Sequence, residues 1–248
     1  MEEKKVIIQL RDVCKSFQNH MVLKDLSLDI YKEETFVIIG PSGIGKSTVL
    51  KHLAGLLLPD FGSICIENLE ITQLGELELN ELRKKMGFVF QSAALFDSLN
   101  VFENVAFRLL RDYQIPVSEA EKIVLEKLEL VGLKPEIINK KPAELSGGMK
   151  KRVGLARAIA VNPEFVFYDE PTSGLDPISA RAINDLILNL QKKLKVTSIV
   201  VTHDLSSAYR VANRIGMLYD GKIIGLGTPE ALQQNTDPRI QKFIYSTL

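Results

Sequence analysis

Tryptophan is absent from this chain, and cysteine occurs only twice, as Cys14 and Cys65. Two cysteines in apolar, strand-like surroundings supply neither a disulfide framework nor a thiolate metal site, and we read them as a reduced, buried pair. An excess of charge of either sign is lacking too: 31 Lys and Arg balance 31 Asp and Glu among 248 residues, for a formal net charge of zero. Nucleic-acid readers carry a basic excess, so that class loses weight. No apolar run approaches the ~18 residues needed to cross a bilayer. The opening Met-Glu-Glu-Lys-Lys passes directly into strand-like Val6 to Leu10, without a signal-peptide pattern, and the expected compartment is the cytosol. No internal repeat or low-complexity segment is present, and one large α/β domain fits the length.

What is present is organised around Gly40-Pro41-Ser42-Gly43-Ile44-Gly45-Lys46-Ser47-Thr48. The apolar run Phe36 to Ile39 precedes it, and helical spacing through Leu50, Leu53 and Ala54 follows, the setting a phosphate-binding loop requires. Gly40, Gly43 and Gly45 let the backbone curl so that several N–H groups point at one anion. The N-terminus of the next helix adds its positive end. Lys46 would reach the β- and γ-phosphates and the Ser47 hydroxyl would coordinate Mg²⁺. A mere glycine-rich turn lacks the strand before and the helix after. A bound nucleoside triphosphate is therefore expected.

Residues 6–39 read as three strands, with Asp25 to Ile30 alternating at period two. Ser63 to Glu67 reads as another strand, Leu79 to Lys85 as a helix, and Met86 to Phe90 as a buried strand that delivers Gln91. From Phe102 to Pro142 the pattern is helical, with Ala120, Val124, Leu128 and Val131 on one face. This stretch reads as a helical subdomain inserted into an α/β core. The core then resumes with a helix at Gly148 to Ala160, a strand at Phe165 to Tyr168, a helix at Ser179 to Lys193 and a strand at Ser198 to Thr202. A hairpin crosses Asp220-Gly221, and helices follow Pro229 and Pro238. Alternating strands and helices around a phosphate loop indicate a mostly parallel sheet.

The strand from Phe165 ends in Asp169-Glu170. At a strand tip beside the phosphate loop, Asp169 would hold Mg²⁺, directly or through water. Glu170, one residue on, would polarise the attacking water as general base. Without the phosphate loop, the pair would read as the start of a polar loop. The second informative stretch is Glu144 to Met149: Ser146 is a good N-cap, and the helix after it carries Lys150, Lys151 and Arg152. That makes a second helix N-terminus prepared for an anion, or, taken alone, simply a well-capped helix.

Together these stretches resemble the nucleotide-binding domain of ABC transporters, over nearly the whole chain and in the family's order. The phosphate loop is Gly40 to Ser47, the Q-loop residue Gln91, the signature Leu145 to Met149 and the D-loop Ser173 to Asp176; His203 is the switch histidine. The resemblance implies a P-loop NTPase fold. Its RecA-like core and N-terminal antiparallel β-subdomain would span 1–91 and 150–235, its helical subdomain 92–149 and a helical tail 236–248. It also implies an ATPase using ATP and Mg²⁺ that works as a head-to-tail homodimer. Each ATP would lie between the phosphate loop of one subunit, Gly40 to Thr48, and Ser146, Gly147 and Gly148 of the other, with Asp176 among the nucleotide contacts. By the same resemblance Phe17 stacks on adenine, His203 contacts the γ-phosphate, and Gln91 senses Mg²⁺ and the water. Lys46, Gln91, Glu170 and His203 form the catalytic set, and Ser47, Gln91 and Asp169 the metal ligands. Judged singly, Phe17 reads as core and His203 as a structural histidine. The family more often has tyrosine at position 17 and glutamine at position 149.

Gln91 to Leu109 and Ser146 to Arg157 look like the ATPases of Mla/Mce-type lipid-transport systems, and Thr197 to Leu205 and Asp237-Pro238-Arg239 add to the likeness. This implies phospholipid transport, with an integral-membrane permease, an MCE-domain protein and a STAS-domain subunit as partners, and no nucleic acid. The ATPase would sit peripherally on the cytoplasmic face of the inner membrane. An importer of small polar solutes is the alternative, since glycine-betaine importer ATPases also use Ser-Gly-Gly-Met. A non-transport ABC ATPase fits less well. The repair type inserts a long coiled coil for which residues 48–168 leave no room, and the ribosomal type fuses two ATPase domains.

Overall fold

The computed structural model describes residues 5–247. Residues 1–4, where no leader pattern was read, and Leu248 of the expected tail lie outside the described residues. Strands β1 (Val6–Phe17), β2 (His20–Tyr31) and β3 (Thr35–Ile39) come first, then α1 (Lys46–Leu53), β4 (Phe61–Ile66), β5 (Leu69–Glu70) and α2 (Glu76–Lys84). Next are β6 (Met86–Val89), α3 (Val101–Arg111), α4 (Val117–Leu130), α5 (Gly147–Ile159), β7 (Phe165–Asp169) and α6 (Pro177–Leu194). The chain ends with β8 (Thr197–Thr202), α7 (Leu205–Val211), β9 (Arg214–Tyr219), β10 (Lys222–Gly227), α8 (Pro229–Gln233) and α9 (Pro238–Thr247). The α/β class is as expected. Strand β5 and helix α7 were not anticipated; α7 is short and begins at Asp204, whose carboxylate accepts from Ser206 N. No helix among the described residues is long and apolar enough to cross a membrane.

The residues group into two compact units, Met1–Arg83 with Val196–Leu248, and Lys84–Lys195. In the first, β3 runs parallel to both β8 and β9, with Ile39 opposite Thr202 on one side and Met217 on the other. Every residue of β3 is buried. A parallel strand covered on both faces reads as a continuous apolar run, as Phe36 to Ile39 does. Strand β10 returns antiparallel to β9 through Asp220 and Gly221, which both have positive φ (45° and 77°), the conformation a tight hairpin favours. A separate antiparallel sheet has the order β2-β1-β4-β5.

Cys14 and Cys65 are free thiols, but they are half-buried, which corrects the expected buried pair. Period-two alternation is the reason: Ile64 and Ile66 take the core face of β4 and leave Cys65 on the other. Nor are the two opposite one another, since Cys65 faces Gln9 and Cys14 faces Phe61. Desolvation, then a hydrogen bond to the Glu70 carboxylate, pushes the Cys65 thiol up from its ordinary pKa.

Glu34, just before β3, is only 3% exposed. Its carboxylate accepts from Tyr31 N at 2.8 Å and from the Arg214 guanidinium of β9 at 3.0 Å. Arg214 in turn lies over the rings of Tyr31 and Phe36, 4.6 and 5.4 Å from their centroids. The ion pair thus joins β2, β3 and β9.

In the second unit β6 and β7 pair in parallel, Met86 opposite Phe165. Helix α5 packs on β6 and on α3 and α4. Gly87 of β6 makes this possible, because a Cβ there would lie 2.3 Å from the carbonyl oxygen of Ala158. The helical stretch expected from Phe102 to Pro142 resolves into α3 and α4 followed by two short 3₁₀ turns, each opened by a proline.

Replacing Arg214 by Met strands the Glu34 carboxylate without its buried cation. The unfolding free energy, measured by urea denaturation, is expected to fall by about 3–5 kcal/mol. Unchanged stability would show that the pair contributes nothing.

Candidate functional site

Helix α1 starts directly from the loop after β3. Its N-cap is Gly45 at φ 107°, with no side-chain cap and no acidic residue in the first turn. The first-turn N–H groups of a helix have no intrahelical acceptor, and an end without side-chain cap or carboxylate suits an anion. Gly40 has φ 153°, and a Cβ on it would lie 2.4 Å from the carbonyl oxygen of Leu218; on Gly45 it would lie 2.7 Å from Cγ1 of Val22. The loop therefore needs glycine both for its curl and for the close approach of β9 and β2. Ser42 and Gly43 are exposed at the crest, while Pro41, Ile44, Ser47 and Thr48 are half-exposed. Lys46 is buried and donates from Nζ to the carbonyl oxygens of Gly40 (2.9 Å) and Pro41 (3.0 Å). Its ammonium is thereby held on the loop itself.

Two further expected residues belong to this unit. His203 is exposed and follows Thr202, whose register partner is Ile39. Gly40 and His203 thus leave neighbouring parallel strands at one carboxyl edge, where α/β sheets bind ligands. Phe17 ends β1 and is 46% exposed, which the core reading does not allow. Lys15 lies 5.8 Å from the Phe17 ring centroid and is itself fixed by Leu58 O and Asp60.

The second unit brings together Gln91, Asp169 and Glu170. Gln91 is exposed and donates from Nε2 to Ser173 Oγ at 3.2 Å. Ser173 N donates to Glu170 O at 3.2 Å. Asp169 closes β7, and Glu170 follows with φ 46°, a left-handed conformation costing a non-glycine residue ~1 kcal/mol or more. Ser146 caps α5, its Oγ accepting from Met149 N at 3.3 Å. Gly147 is exposed, and a Cβ on it would meet nothing within 4 Å. Open space there suits the approach of a ligand rather than packing.

The cations on α5 correct the sequence reading. Lys151 is buried against the carbonyl oxygen of Gln91, and Arg152 donates to Val131 O at 2.8 Å. Both serve this unit's own backbone, so of the three cations read beside an anion site, Lys151 and Arg152 are taken up by carbonyls. Asp176 caps α6, accepting from the N–H groups of Ile178 and Ser179 at 3.0 Å. Hydrogen bonds from Ser179 hold its carboxyl below the usual carboxylate range.

One organising residue was missed. Asn104 is fully buried on α3; its Nδ2 donates to Phe96 O, Leu99 O and Asn100 O at 3.0–3.1 Å, and its Oδ1 accepts from Phe96 N at 2.8 Å. It orders the turn after the Q-loop. The available signal was a lone amide on the apolar face formed with Val101, Val105 and Leu109.

No group of three or more His, Cys, Asp or Glu able to hold a metal occurs among the described residues. A divalent ion here would draw on water or substrate oxygens to complete its shell. That fits Mg²⁺, which takes one or two protein oxygens beside those of its substrate.

A sequence profile described as ABC transporter matches residues 23–173. Among curated proteins, the intermembrane phospholipid transport system ATP-binding protein MlaF of Haemophilus influenzae is 41% identical over 238 residues, 96% of this chain and 90% of that protein. The probable ribonucleotide transport ATP-binding protein mkl of Mycobacterium leprae is 40% identical over 96% of this chain and 69% of its own length. Of solved structures, a dimeric ATP-binding cassette in a post-hydrolysis state with ADP and Pi is 35% identical, with a TM-score of 0.83, covering 90% of this chain and 99% of that one. The cbiO1 protein of Clostridium perfringens, part of the ABC transporter complex cbiONQ, is 28% identical with a TM-score of 0.85, covering 99% and 96%.

His52, on α1 just behind the loop, is fully buried; Nδ1–H donates to Thr48 O at 2.8 Å and Nε2 has no partner. Desolvation lowers its pKa from 6.5, and Lys15 adds to the effect. The unfolded chain takes up this proton first, so stability is expected to fall as pH drops below about 6.5. Melting temperatures between pH 8 and 5.5 should decline less steeply in His52→Leu; equal slopes would exclude His52 as the cause.

Proposed function

This chain belongs to the ABC transporter family, and from that premise we propose that it energises phospholipid transport at a bacterial inner membrane. It is an ABC ATPase that binds and hydrolyses ATP. The observation that carries the chemistry is the phosphate loop: an uncapped helix end, three glycines and a buried ammonium converging on one anion position.

We assign Gly40 to Thr48 to the phosphates, Phe17 to the adenine, and Ser146, Gly147, Gly148 and Asp176 to the nucleotide held by a sister subunit. The assembly is a head-to-tail homodimer, a reading supported by the dimeric relative that holds ADP and Pi. Mg²⁺, when bound, neutralises charge on the transferring phosphoryl group. Ser47, Asp169 and Gln91 supply the hydroxyl, carboxylate and amide suited to it. Glu170 takes the proton of the attacking water, and His203 donates to the γ-phosphate. In this reading residues 92–149 act as a helical subdomain on a core of 1–91 and 150–235, with 236–248 as a tail.

Likeness to MlaF over 90% of that protein's length supports the phospholipid cargo, as does the resemblance of Gln91 to Leu109. The partners are then a permease, an MCE-domain protein and a STAS-domain subunit, with the ATPase peripheral on the cytoplasmic face.

Two measurements check this. Glu170→Gln should bind ATP normally while turnover falls by about a hundredfold or more, and Lys46→Ala should lose nucleotide affinity; ordinary turnover in the first removes Glu170 as base. Gentle detergent extraction of the native complex, with mass spectrometry of what accompanies it, should recover a permease, an MCE-domain protein and phospholipid. Recovery of a soluble solute-binding protein, or a ribonucleotide cargo, would overturn the lipid reading and leave the ATPase intact.

A further inference from the structure

Three residues of α5, spaced i, i+3 and i+6, meet the backbone of one short turn. Lys151 donates from Nζ to Gln91 O. A Cβ on Gly154 would lie 3.4 Å from the Cβ and carbonyl oxygen of Ala93. Arg157 donates from Nη2 to Ala93 O and from Nη1 to Ala94 O, both at 2.7 Å. The turn is not one a chain adopts unaided, because Ala93 and Ala94 both have positive φ, 62° and 44°. Each such residue costs ~1 kcal/mol or more, and here the cost is offset by two cations gripping three carbonyls.

The same contacts lead to the chemistry. Gln91 reaches Ser173 Oγ, and Ser173 N reaches Glu170 O, each at 3.2 Å. Burial lowers the pKa of the Lys151 ammonium, and the Glu170 charge opposes that shift. Lys151 therefore touches the Q-loop backbone directly and is joined to the proposed base through Gln91 and Ser173.

We propose that Lys151 is a positioning residue for ATP hydrolysis, holding Gln91 by its carbonyl and, through Gln91 and Ser173, the backbone at Glu170, while Arg157 secures the far side of the same turn. This rests on the reading that Gln91 and Glu170 act in hydrolysis. A purely structural cation would support the fold without favouring kcat over nucleotide binding.

The test uses the full chain, with ATPase kinetics, nucleotide affinity and hydrogen–deuterium exchange. In Lys151→Met, kcat should fall by about 10- to 100-fold, while nucleotide Kd stays within about twofold. Exchange should quicken at residues 91–94 and not elsewhere. Lys151→Arg should recover most of kcat, because a guanidinium keeps both the charge and a donor for Gln91 O. If Lys151→Met does not fold, Lys151→Gln takes its place and should also lower kcat, since it lacks the charge. Wild-type kcat in the variant read, an equal loss in Kd and kcat, or no recovery by arginine would each overturn the proposal. Glu170→Gln is run alongside. Normal turnover there would sink the reading of Glu170 as base, while exchange at 91–94 would still decide the role at Gln91.

Discussion

Helix first turns carry N–H groups that the helix cannot satisfy itself. Most helices in this chain resolve this locally: Asn100 accepts from Glu103 N at α3, Ser146 caps α5, Asp176 caps α6 and Thr228 caps α8. Helix α1 does not. Its cap is a glycine, its first turn is free of carboxylates, and the residue at its start is a lysine. A helix N-terminus and a lysine at its start both present positive potential, which suits a polyphosphate. The buried parallel strand β3, the close approach of β9 at Gly40 and that of β2 at Gly45 all fix where this end of the helix stands.

A complementary solution operates in the second unit, where carbonyls rather than N–H groups need partners. Arg108 donates to Met86 O, Arg152 to Val131 O, Arg157 to Ala93 O and Ala94 O, and Lys151 to Gln91 O. Cations placed on carbonyls supply donors to acceptors that the regular hydrogen-bond ladders leave over.

The phosphate loop was legible because its glycines, lysine and serine act through local backbone geometry, which short-range spacing records. The strand ending at Asp169 was legible because Phe165 to Tyr168 is a continuous apolar run, while the two carboxylates at its tip drew their meaning only from the phosphate loop. Lys151 was not. A lysine four residues after a helix start looks like an anion ligand until the tertiary fold brings Gln91 O to it. Cys65 was misplaced by one face because the run Ile64-Cys65-Ile66 is apolar throughout and hides its alternation. Helix α7 escaped notice because seven residues give too short a period to read. Asn104 escaped because its partners are main-chain groups four to eight positions away.

Gly87 and Gly154 have a mechanical corollary. At both, α5 meets its neighbour with no rotatable side chain between: Ala158 O over Gly87, and the Cβ and carbonyl oxygen of Ala93 against Gly154. Ordinary helix contacts run through side chains that absorb a small shift by changing rotamer. A main-chain contact has no such compliance, and close-packed interiors transmit strain. Helix α5, strand β6 and the turn at Ala93 therefore behave as a stiff assembly. A tilt of the Ser146 end would reach residues 91–94 almost undamped, which gives the second unit the character of a lever.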